Sequence, residues 1–153
     1  MAKLHQELYV DYHHDYYLYG LQTLVPEYKL AWELNRALAI HFRKAPDWPL
    51  GSSAEIALFV SNFIFTSTHR TFRLLKNQVE PGRDAPQQAL PAQPGATYLL
   101  PELKQWPYLL QIQDLSHSLN QGALLMTIGD LPAVEQAARI ALSSINHKEN
   151  LLF

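Results

Sequence analysis

The run over residues 55–66, EIALFVSNFIFT, constrains the fold of this chain more than any other stretch. Successive side chains on a strand point to opposite faces. Read as one strand, the run puts Ile56, Leu58, Val60 and Ile64 on one side and Ala57, Phe59, Phe63 and Phe65 on the other. Apolar residues on both sides require cover on both sides. Helices on one face, with loops or a second subunit on the other, would supply it. A turn at residues 66–69 then lets RTFRLLKN, residues 70–77, return as an antiparallel partner.

The stretch DYYLYGLQTL, residues 15–24, is rich in tyrosine and leucine and reads as a first strand. Gly20 inside it marks a bulge or a close approach of another group to the backbone. Pro26 suits the first turn of a helix, where its missing N–H has no partner to lose. Residues 27–40 hold no Gly or Pro, and Leu30, Leu34, Ala37 and Leu38 recur at helical spacing. Glu27, Lys29, Glu33 and Arg36 take the outward surface, with Lys29 and Glu33 as an i,i+4 pair.

Residues 45–53 read as a connection, and residues 78–96 as a loop interrupted by Pro81, Pro86, Pro91 and Pro94. Short strands are expected at residues 97–100, 108–113 and 122–128. Asp130 would cap a second helix with Pro132 in its first turn. Leu131, Val134, Ala138, Leu142 and Ile145 would form its buried stripe. The chain has 153 residues, which suits one domain over residues 1–153. The element order predicts α+β architecture: a mainly antiparallel sheet of about five to seven strands with two principal helices on one face.

Composition excludes several classes. With 48% hydrophobic and 17% charged residues the chain is too apolar for intrinsic disorder. A formal charge of −2 gives no bulk drive toward nucleic acid or anionic lipid, so neither a nucleic acid nor a membrane is an expected partner. Cysteine is absent, which removes disulfides, thiolate zinc sites and a cysteine nucleophile. The first residues lack the apolar run of a leader, and no stretch approaches the roughly 18 apolar residues of a spanning helix. A cytoplasmic location is expected.

LPELKQWPY, residues 100–108, resembles the signature that names the IPExxxVDY family, an uncharacterised bacterial family. The stretch over residues 15–38 resembles that family's N-terminal strand and helix, and HKENLLF, residues 147–153, resembles its C-terminal end. Leu100 stands where the signature has isoleucine, and Trp106 and Pro107 stand in place of its valine and aspartate. The resemblance implies a fold and a structural role for the signature, with no chemistry at the aspartate position. Read by themselves, these residues suggest the same. Pro101 ends a strand at Leu100. Glu102 is placed to accept hydrogen bonds from backbone N–H groups, and Trp106 and Tyr108 would anchor one side of an extended segment to the core.

Candidates for chemistry are sparse. Asp11, His13 and Asp15 alternate, so on a strand they would share a face about 7 Å apart. Two carboxylates and an imidazole suit a divalent cation, and a metal-assisted hydrolase is one alternative function. The competing reading is a charged strand edge that resists pairing. His69, Arg70 and Arg73 suggest an anion contact, although alternation sends the two arginines to opposite sides. No G-x-S-x-G, S-x-x-K or glycine-rich phosphate loop is present. No catalytic residue and no cofactor is therefore assigned. Tyr17 and Tyr19 could stack bases if exposed, which makes an RNA-binding accessory protein a further alternative.

The leading expectation is a non-catalytic protein-interaction module that self-associates as a homodimer. Its contacts would come from Tyr17, Tyr19, Phe59, Phe63, Trp106 and Tyr108, together with the apolar end at residues 151–153.

Overall fold

Nine strands and two helices form among the described residues, 16–53, 56–81 and 97–151, of the computed structural model. β1 (Tyr17–Gln22) leads into α1 (Glu27–Leu38), followed by β2 (Arg43–Lys44), β3 (Trp48–Ser53), β4 (Ile56–Val60), β5 (Asn62–Thr66), β6 (Arg70–Lys76) and β7 (Glu80–Pro81). A 3-10 turn at Pro101–Leu103 precedes β8 (Tyr108–Asp114), α2 (Gln121–Gly129) and β9 (Gln136–Ile140). Six strands pair antiparallel in the order β2-β5-β6-β8-β1-β9, and β3-β4-β7 form a second sheet. The architecture is α+β, mainly antiparallel, with both helices on one face.

Alternation along the central strands builds two cores. Tyr19 and Leu21 of β1, Leu74 of β6, and Leu110 and Ile112 of β8 meet Leu30, Ala31 and Leu34 of α1 and Leu124 and Ile128 of α2. On the other face, Leu18, Leu75, Leu109 and Ile140 meet Val60, Val79, Leu99, Trp106, Ile145 and Leu151. The α1 stripe holds at Leu30 and Leu34, and the helix ends where Ala39 turns left-handed, with φ 54°.

The two-faced apolar run is not one strand. It breaks at Ser61, where β4 leaves for the second sheet and β5 enters the first. Ser61 and Asn62 are the polar pair that permits the break. The Ser61 carbonyl accepts the Lys76 N–H, and the buried Asn62 amide donates to the carbonyls of Pro46 and Val60. Val60 enters one core while Phe63 and Phe65 pack on the other. The turn and returning strand β6 form as expected, with Phe65 opposite Phe72.

Two expectations at the C-terminal end exchange places. Residues 122–128 are helical rather than a strand: the Asn120 Oδ1 caps α2 by accepting the Ala123 N–H, and Leu124 and Ile128, four apart, face the core. The expected second helix, with its stripe Leu131, Val134, Ala138, Leu142 and Ile145, is instead a turn, β9 and a 3-10 segment. β1 supplies the reason. Its second edge presents backbone groups that need partners, and β9 takes them, with Leu18 opposite Ile140. The expected connection at residues 45–53 contains β3. The expected strand at residues 97–100 reduces to one bridge between Gln78 and Tyr98. Most of the Pro-rich loop, residues 82–96, lies outside the described residues.

The signature residues are structural. Asn77 is fully buried, and its amide donates to the carbonyls of Leu103 (3.0 Å) and Trp106 (3.1 Å) while its Oδ1 accepts the Leu100 N–H (2.9 Å). Glu102 accepts the N–H groups of Asn146 and His147 and meets the His147 ring at 2.9 Å. Gln111 donates to the Leu151 carbonyl. Residues 100–108 are thus tied through Glu102 to residues 146 and 147. Trp106 and Tyr108 face opposite cores rather than one side, because Trp106 lies in the turn before β8.

Candidate functional site: an apolar stripe on the first helix

Once α1 has buried Leu30, Ala31 and Leu34, its outer surface should be polar. Beside the exposed Lys29 and Arg36 it also carries Tyr28 and Trp32, four residues apart and therefore neighbours on one helix face. They are 69% and 54% exposed, and Leu24 just ahead of the helix is 87% exposed. The Arg36 guanidinium carbon lies 4.8 Å from the centroid of the Trp32 ring and braces it. On α2, which touches α1 on the same sheet face, Met126 is 71% exposed. Single exposed apolar residues are ordinary, but a group of large ones on one face marks an interaction surface.

The six residues expected to form contacts are not brought together. Tyr19, Trp106 and Tyr108 are buried in this chain's own cores, so they present no surface to a partner. Tyr17 is half-buried with the Arg139 guanidinium 6.0 Å from its ring. Phe63 is half-buried with the Lys44 ammonium 5.8 Å from its ring, and Phe59 is half-buried in the second sheet. Leu151 is buried, and residues 152–153 lie outside the described residues. Asp11, His13 and Asp15 also lie outside them. Among the described residues, no group of three or more histidines and acids is placed to hold a metal ion.

Among the described residues three carboxyl groups have shifted acidities, and all three act within the fold. The Asp114 carboxyl is lowered to about 2, first by the Ser116 hydroxyl, against the opposing effect of burial. The N–H groups of Ser116 and Leu119 and the nearby Arg70 guanidinium add to the lowering. Arg70, one of the expected anion contacts, is thus occupied: its Nε lies 3.5 Å from Asp114, and it donates to the Ser118 hydroxyl. Burial makes the Glu27 carboxyl a weaker acid and pushes its pKa up, against the Ser61 hydroxyl, Lys44 and Lys76. Glu27 is therefore not the solvated outward side chain expected of it; it ties α1 to the β4–β5 junction at 2.6 Å. Burial would raise Glu102 too, but its own backbone N–H, the His147 ring and the N–H groups of His147 and Asn146 outweigh that and lower it.

Asp114 gives a pH prediction. A carboxyl lowered in the folded state adds stability that is present above its ordinary value of 3.8 and is lost as pH falls toward about 2. Asp114→Asn should therefore be less stable than the parent chain at about pH 5, with the gap partly closed at about pH 2.5, which lies between the folded value of about 2 and the ordinary 3.8. Urea unfolding at both values checks this; an equal gap at both would count against it.

A cavity of about 530 Å³ lies between the start of β1 and the end of β9, lined by Tyr16, Tyr17, Leu18, Arg139, Ile140 and Leu142 among others. Among the described residues its lining holds tyrosines and one cation, with no carboxylate or imidazole. Sequence reasoning missed the stripe. The signal was available: Tyr28 and Trp32 fall off the buried face of α1, where charged side chains are expected.

These features define an α+β protein whose helix layer carries an exposed apolar surface and whose shifted carboxyl groups are structural. The chain matches no known protein family, no curated protein and no solved structure. No helix among the described residues is long and apolar enough to cross a membrane.

Proposed function

We propose that the chain is a non-catalytic interaction module whose docking surface is the outer side of α1. The observation that supports this reading is the exposed pair Tyr28 and Trp32 with Leu24, on a helix whose other face already closes the core. Tyr and Trp are the residue types that dominate binding energy at protein contacts, because a large rigid ring desolvates at little cost in conformational freedom. The partner of such a surface is a protein with an apolar groove or helix face of its own. The resemblance to the IPExxxVDY family agrees with a structural use of the signature and adds no activity.

The test separates binding from folding. Replacing both Tyr28 and Trp32 by serine should change unfolding stability by less than about 1 kcal/mol, since neither ring belongs to a core. The same variant should lose proteins that the parent chain retains when purified from its own host. Identical retained proteins for both chains, or none for the parent, would overturn the reading.

A further inference from the structure

The six-stranded sheet has two margins, and they differ. At one, β2 is only Arg43 and Lys44, both exposed, so that margin is short and doubly charged. Short strands and cationic side chains are how sheets refuse further strands. At the other, β9 is five residues long, QAARI, and pairs with β1 along one side. Among the described residues no strand pairs with its other side. β9 contains no lysine and no proline, and its middle is Ala137 and Ala138. Among the described residues a row of backbone donors and acceptors thus lies unpaired, with no bulky side chain at its centre.

The charges around this edge say what fits it. Glu135 and Arg139 stand two residues before and two after Ala137, and both are exposed. Extended backbone separates them by about 13 Å, too far for an ion pair within one strand. Glu135 makes no ion pair among the described residues; its N–H is bound by the Gln22 carbonyl. An antiparallel copy of the same segment, centred on Ala137, sets Glu135 opposite the partner's Arg139, and symmetry makes the contact twice. Gln136 then faces the partner's Ala138, and Ala137 faces the partner's Ala137. A parallel copy in the same register would set like charges opposite each other, which destabilises a pair of strands.

We infer that β9 is a self-pairing edge through which two copies of this chain join their six-stranded sheets, antiparallel across a two-fold axis, with Glu135 and Arg139 fixing the register. A two-fold contact uses one patch on both copies, which is what a segment complementary to its own reverse supplies. The inference rests on the reading of the chain as an interaction module and names a second copy as one partner, through a surface other than α1.

Analytical ultracentrifugation of the full chain at tens of micromolar is expected to show a dimer. Glu135→Arg or Arg139→Glu alone places like charges across the edge and should weaken it about tenfold or more. The combined variant E135R/R139E restores opposite charges in both contacts and should recover dimerisation to within about threefold of the parent. A monomeric parent, a dimer indifferent to both single changes, or a combined variant no tighter than the single ones would overturn the inference. Should Arg139→Glu fail to fold because the guanidinium lies over the Tyr17 ring, Glu135→Arg alone decides: an unchanged dimer refutes the edge, and a weakened one supports it. The Tyr28 and Trp32 double serine variant should leave this dimer intact. If it dissolves the dimer while Glu135→Arg does not, the second copy docks on α1 and the edge assignment fails.

Discussion

Gly20→Ala is expected to destabilise the chain by about 3 kcal/mol, although it adds a single methyl group. A β-carbon at this position would stand 2.6 Å from Cγ and 2.8 Å from Cε2 of the Trp106 indole. Gly20 sits in the middle of β1, held by β8 on one side and β9 on the other, so the backbone has nowhere to go. The ring is equally confined. Trp106 is buried, its backbone N–H donates to the Leu103 carbonyl, and its backbone carbonyl accepts the Asn77 amide. Trp106→Leu should relieve the clash, so that adding Gly20→Ala in that background costs under about 1 kcal/mol. Urea unfolding of the four chains gives the coupling. Equal costs of Gly20→Ala in the two backgrounds would show that the ring is not the obstacle.

Asn77 should be the most sensitive polar position described. Its amide faces carbonyl oxygens of Leu100, Leu103 and Trp106, while its own carbonyl oxygen accepts the Leu100 N–H. Asn77→Ala strips these groups of partners in a site without water access, at a cost of about 3–5 kcal/mol. Asn77→Asp should be worse at neutral pH: it keeps the shape but turns a donor into an acceptor aimed at carbonyls, and adds a buried charge. The ordering parent, Ala, Asp in denaturant midpoint at roughly neutral pH is the expected outcome, since the new carboxyl is either charged and buried or protonated at a cost. An Asp variant as stable as the Ala variant would remove the geometric argument.

These residues show where the sequence was legible. Gly20 inside a strand pattern signalled a close approach, but nothing in the chain order said that Trp106 would be the group approaching. Glu102 read as an acceptor for backbone N–H groups and is one; that the donors lie at residues 146 and 147 needed the fold. Among the site residues, Tyr19, Trp106 and Tyr108 are apolar enough for an interface or a core, and the two uses have the same sequence signature. Tyr28 and Trp32 were decided by geometry, because an aromatic ring off the buried stripe is visible only once the buried stripe is known.

Sequence alone determined the class of fold, the first strand and helix, the β5–β6 hairpin and the central strand β8, since strand-favouring composition between turn signals, or in the helix a period of about 3.6, agrees with the eventual environment. Tertiary structure decided the rest. It broke the apolar run at Ser61 between two sheets, and it turned residues 121–129 into a helix and residues 136–140 into a strand. The reasons differ: the polar pair Ser61 and Asn62 permits the break, and backbone pairing decides the C-terminal segments. A short apolar segment satisfies either period about equally well, so the choice passes to unpaired backbone groups elsewhere, here those along the open side of β1 that only a strand could take.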